Sequence, residues 1–173
     1  MKYSVTSAEA AKMLKRVTSE KWRLIRDEKK SCVFRSALGE DMEEVRPKYD
    51  YEETQRKIWI CDEKIRILKH AMSSFNLSQT VGDTGMTIDQ VLVYLPQLSD
   101  MANRLETMQE RLPKRRSDIG GFGKNLVIDY EYTNYSVEKA EKDFLRVSDE
   151  LARVQTALDL VNTTIKMEID LPD

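Results

Sequence analysis

VEKAEKDFLRVSDELARVQTALDLV, running from Val137 to Val161, places apolar side chains at Val137, Ala140, Phe144, Val147, Leu151, Val154, Leu158 and Val161. Spacings of three and four alternate along it, which puts all eight on one stripe of an α-helix and predicts a helix that buries a seam of coiled-coil type. Two other stretches repeat the pattern. One is Tyr51, Thr54, Ile58, Cys61, Ile65, Leu68, Met72 and Phe75; the other is Ile88, Val91, Leu95, Leu98, Ala102, Leu105 and Leu112, broken at Gln109. A weaker seam near the N-terminus uses Ala10, Leu14, Val17 and Leu24, with Lys21 and Glu28 in seam positions.

Capping signals set the helix starts. Thr6-Ser7-Ala8-Glu9 and Thr87-Ile88-Asp89-Gln90 are capping boxes, in which the Thr hydroxyl and the Glu or Gln side chain each satisfy an amide that the first turn leaves free. Asp50-Tyr51-Glu52-Glu53 opens a further helix. The expected spans are Thr6 to about Lys30, Asp50 to Phe75 or Asn76, Thr87 to about Leu112, and Ser136 to Thr164. Pro96 falls inside the third, where it removes one backbone hydrogen bond, and Pro113 stops it. Between helices, Cys32-Val33-Phe34-Arg35 is β-branched and aromatic, Leu126 to Tyr132 alternates with period two, and so does Ile165 to Leu171.

The expected fold is mainly α, with four long antiparallel helices in an up-down-up-down order, a small β-ribbon at one end and short terminal strands besides. Residues 1–173 are expected to form a single helical-bundle domain. The ribbon is expected to pair Val33 to Ala37 with Leu126 to Tyr132, and the terminal strands to pair Lys2 to Val5 with Ile165 to Leu171.

Composition narrows the function. Charged residues make up 34% and hydrophobic ones 40%, with a formal charge of −2, so no overall basic surplus favours nucleic acid. No window carries the ~20 apolar residues of a membrane span, and Met1 to Val5 lacks an export pattern, so a cytoplasmic protein is expected. Its two cysteines, Cys32 and Cys61, are expected as reduced thiols.

No group of side chains announces catalysis. Gly120-Gly121-Phe122-Gly123-Lys124-Asn125 has the glycines of a phosphate loop, but Asp118 and Asn125 replace the required Gly and Ser or Thr, and a strand follows. His70 is alone on the outward side of its helix, without triad partners or ligand spacing. The acidic run Asp41, Glu43, Glu44 and the pair Glu52, Glu53 lack the turn glycine and spaced oxygens of a calcium loop. No catalytic, cofactor or metal site is therefore expected. Lys114-Arg115-Arg116 is a weak candidate anion contact, against a plain reading as a helix-end cluster favoured by the macrodipole. Trp22, Ile25, Trp59, Ile60 and Ile67 lie off the seams, where they either widen the core or cover a contact with a partner or a second subunit.

Several segments together resemble the septicolysin-like family of small bacterial helical proteins. They are Phe75-Asn76, Met86 to Leu92, Pro113 to Arg116, Ile128-Asp129-Tyr130 with Asn134-Tyr135, and Glu150 to Gln155 leading to Asn162-Thr163-Thr164. The resemblance implies long antiparallel helices with a small β element, and its name implies haemolytic or pore-forming activity; it brings no catalytic residues. The functional expectation is a non-enzymatic protein acting by self-association, as a dimer or higher oligomer, or by docking an unknown protein partner through helical faces. Membrane action is the runner-up, and nucleic acid is not favoured.

Overall fold

A computed structural model of the chain describes residues 1–116 and 129–172. It is mainly helical, at 67%, with five helices and two antiparallel strand pairs among the described residues. In chain order they are β1 (Lys2–Thr6), α1 (Ser7–Ser31), α2 (Met42–Val45), α3 (Tyr51–Ser78), α4 (Ile88–Gln109), β2 (Lys114–Arg116), β3 (Tyr130–Tyr132), α5 (Val137–Thr164) and β4 (Lys166–Asp170). The contacts divide the chain into two compact units, residues 1–79 with 160–173, and residues 80–159.

In the first unit α1 begins with the expected capping box. The Thr6 amide donates to Glu9 Oε2 at 2.8 Å and the Glu9 amide donates to Thr6 Oγ1 at 3.2 Å. The Thr6 amide, and the Thr6 hydroxyl donating to the same Oε2 at 3.1 Å, hold the Glu9 carboxyl below its ordinary pKa. α1 and α3 run antiparallel, because Lys21 meets Asp62 while Glu28, further along α1, meets Gln55, earlier on α3. Along the stripes read from spacing Ala10, Val17, Cys61, Leu68 and Phe75 are buried, Leu14, Leu24, Thr54, Ile58, Ile65 and Met72 are half-buried, and Tyr51 at the start of α3 is exposed.

The two charged residues in the α1 seam are accommodated by partners. Lys21 Nζ donates to Asp62 Oδ1 at 2.5 Å. Glu28 Oε1 accepts from the Gln55 amide at 2.5 Å and from the Tyr49 hydroxyl at 2.8 Å. Burial and this acceptor push the Tyr49 hydroxyl's pKa up.

β1 and β4 pair antiparallel from Lys2 opposite Asp170 to Thr6 opposite Lys166, the terminal ribbon that the alternation predicts. Met167, Ile169 and Leu171 are buried while Lys166, Glu168 and Asp170 face solvent, and α3 lies against β4. The other expected ribbon is different. β3 pairs with β2, with Arg115 opposite Glu131, and residues 33–37 form no strand. The β-branched run there lacks a surface to pack on: Val33 is 77% exposed, and β preference stabilises a strand only on a half-buried sheet. Phe34 instead lies under the Arg46 guanidinium, 5.8 Å from its ring centre, and the acidic loop beyond it contains the single turn α2, capped by Asp41. Residues 126–128 of the expected strand and the 120–125 glycine loop lie outside the described residues.

In the second unit α4 and α5 run antiparallel. The Tyr135 hydroxyl, just before α5, donates to the Met108 carbonyl near the end of α4 at 2.8 Å. At the opposite ends, Arg153 of α5 bonds Asp83 in the turn before α4. That turn holds a buried Val81, with Gly82 and Gly85 at φ +50° and +68°, conformations that glycine adopts without strain. Ile88, Val91, Leu98, Ala102 and Leu105 are buried on α4, and Ala140, Val147, Val154 and Leu158 on α5; Phe144 and Leu151 are half-buried. α4 ends at Gln109, three residues before the expected Leu112, and the chain continues through Pro113 into β2.

Candidate functional site

The five off-seam residues do not converge. Trp22 and Trp59 are 58% and 71% exposed, whereas Ile25, Ile60 and Ile67 are half-buried. Helical phase explains the split. Trp22 directly follows the seam residue Lys21, and Trp59 directly follows the seam residue Ile58. In an antiparallel pair, positions that follow the seam by one lie on the same flank of both helices. Ile25 borders that flank, while Ile60 and Ile67, which directly precede the seam residues Cys61 and Leu68, lie on the other. The Lys21–Asp62 contact sets the level: Trp22 and Trp59 are displaced along the axis by about two residues, ~3 Å.

The polar neighbours of the two indoles form a pattern that sequence reasoning missed. On α1 the stripe through Trp22 is Lys12, Lys15, Ser19, Trp22, Arg26 and Lys29, all exposed. Its carboxylates Glu9, Glu20 and Asp27 fall on the opposite flank. On α3 the stripe through Trp59 is Glu52, Arg56, Trp59, Glu63, Arg66 and His70, also all exposed. Arg56 is held by Glu53 through two bonds of 2.7 and 2.8 Å. Arg56 and Lys57 together bring the Glu53 carboxyl from the ordinary 4.5 down to about 2. Lys15, Arg26, Lys29 and Arg66 are in no ion pair among the described residues. The signal that marks this pattern in the sequence is a second three-and-four spacing, carried by cations instead of apolar residues.

The Lys114-Arg115-Arg116 run is a strand and not a helix-end cluster. Arg115 Nε donates to Glu131 Oε2 at 2.6 Å, which lowers the Glu131 pKa, and Lys114 Nζ lies 4.1 and 5.3 Å from the ring centres of Tyr130 and Tyr132. Its charge is thus spent in part on its own ribbon. Between α4 and α5 a groove of about 810 Å³ has Leu98, Met101 and Val147 among its apolar lining, and Arg146, Glu150 and Arg153 among its charged lining. Arg153 is bound by Glu150 at 2.9 Å and by Asp83, which raises its pKa further. The groove is lined by neither histidine nor thiol. His70 is exposed, and no three His, Cys, Asp or Glu side chains are grouped to hold a metal ion among the described residues. No helix of the described residues is long and apolar enough to cross a membrane.

No protein-family model matches the chain, and no curated protein matches it. Among solved structures, the fold is similar to that of a functionally unknown conserved protein from Corynebacterium diphtheriae. The TM-score is 0.57 at 12% identity, over 95% of this chain and 99% of that one. The likeness is one of fold alone.

Proposed function

We propose that this chain is a non-enzymatic binding protein that docks a macromolecular partner on the α1–α3 flank carrying Trp22 and Trp59. The observation behind this reading is that both tryptophans of the chain are more than half exposed, at one level of one helix pair. Tryptophan is among the residues most enriched in side chains that dominate binding energy, and an indole left in water forgoes about 2 kcal/mol of complete burial. The coiled-coil-type seams expected of the four long helices belong to the same proposal, as the stiff support that keeps such a flank in shape.

The test is a photoreactive amino acid at Ser19 or Glu63, beside the two indoles, irradiated in the native cell. A defined adduct supports docking, and a flank that stays free of adducts refutes it. Light scattering over the micromolar range separates self-association, the other form that the sequence suggests, from docking of a different molecule.

A further inference from the structure

We propose that the Trp22–Trp59 flank binds single-stranded nucleic acid, with phosphates on Lys12, Lys15, Arg26 and Lys29 and bases on the two indoles; this rests on the docking reading above. The flank gathers six cationic side chains, of which Arg56 is paired with Glu53, leaving five against the two carboxylates Glu52 and Glu63, a local excess of three on a chain whose net charge is −2. Segregation along the helix, not composition, creates this field. From Lys12 to Lys29 the α1 stripe rises ~25 Å with a cation or the indole at most turns, enough for several nucleotides.

The arrangement discriminates among anionic and apolar partners. A second copy docked through the same flank would meet the α1 cations either with the same stripe, which repels, or with the α3 stripe, where Arg56 and Arg66 balance Glu52 and Glu63 and give no net attraction. An interfacial membrane helix needs a continuous apolar face, yet Ser19 and Arg26 border Trp22 on its stripe, Arg56 and Glu63 border Trp59, and neither stripe adds another apolar side chain between residues 12 and 29 or 52 and 70. Isolated aromatic rings set among cations suit unstacked bases, whose faces a duplex hides.

Trp22 and Trp59 are the chain's only tryptophans, so fluorescence excited at the red edge, where the seven tyrosines do not absorb, reports on this flank alone. A dT oligonucleotide of about fifteen residues is expected to quench it saturably at low salt. The logarithm of affinity should fall against log salt with a slope near −3 for four phosphate contacts. Lys15→Gln with Lys29→Gln should weaken binding at least tenfold and reduce the slope by about half. Arg16→Gln with Arg23→Gln, exposed on the other flank, should leave both unchanged. Equal weakening by the two double variants, or no quenching at low salt, overturns the proposal. So does a response confined to vesicles of equal phosphatidylglycerol and phosphatidylcholine, or to the protein's own concentration; either would identify a lipid surface or a second copy while leaving docking in place. Silence toward all three probes overturns it too, and the crosslinking experiment then decides separately whether the flank docks anything.

Discussion

Two leucines on one helix give a controlled test of the packing. Leu68 is fully enclosed, with 0% exposure, in the α3 stripe that faces α1 and β4; Leu77, on the outer side of the same helix, is 64% exposed. Replacing either by Ala removes three carbons and barely changes helix propensity. At Leu68 the lost transfer energy is ~2.4 kcal/mol at ~0.8 per methylene, and the cavity left by incomplete relaxation brings the total to ~3–5 kcal/mol. At Leu77 only about a third of that transfer energy is at stake and no cavity forms, so the cost stays below ~1 kcal/mol. Urea unfolding followed by far-ultraviolet circular dichroism measures both, and unchanged slopes license the comparison. A gap under ~1 kcal/mol, or the reverse order, would refute the assignment of this stripe to the core.

Gly82→Ala should destabilise more than Gly85→Ala: both require positive φ, at ~1–2 kcal/mol, but the new methyl at position 82 also meets Ala157 Cβ at 3.3 Å while position 85 is open. Thermal melts of the two variants check this order. Glu53 has a folded pKa lowered from 4.5 to about 2, so its contribution is complete above pH 4.5 and lost as pH falls toward 2. Melting temperature should therefore drop less steeply over that window in Glu53→Gln than in the wild type. Cys32 is exposed, whereas Cys61 is buried and its thiol pKa is raised chiefly by that burial. Mass spectrometry after brief alkylation should find Cys32 modified, with Cys61 reacting only once the chain is unfolded.

What the residues disclosed beforehand follows a physical division. Helix starts were legible because a cap is chemistry within four residues: Thr6 with Glu9, Thr87 with Gln90, and Asp50 with the Glu53 amide all act as expected. The terminal ribbon was legible because Ile165, Met167, Ile169 and Leu171 alternate. The partner of β3 was not, since pairing is a long-range choice and Val33-Phe34 offered a more strand-like composition than Lys114-Arg115-Arg116. Within the α5 stripe, spacing grouped Leu151 with Val154 but did not reveal that Val154 is sealed while Leu151 is only half-covered. For the candidate flank, the exposed tryptophans stood out by being off the seam. Their cationic setting emerges only when two helices are aligned in a definite direction, which no single stretch specifies.

That alignment depends on the polar interruptions in the α1 seam. Apolar heptads are nearly interchangeable, so two such helices can slide past each other by seven residues with little loss of contact. A slide in one direction would bring Lys21 level with Lys69 and Glu28 level with Asp62, like charge against like at both places. In the other direction Lys21 would lose Asp62 for Gln55, and Glu28 would overhang the first turn of α3 toward Lys48. The pairs Lys21–Asp62 and Glu28–Gln55 thus act as a vernier: one slide is opposed by like charges, and the other gives up both hydrogen bonds and takes Glu28 past the first residue of α3. Slippage by a heptad would also carry Trp22 and Trp59 about 10 Å out of step, so the device that selects the fold also sets the spacing of the two indoles.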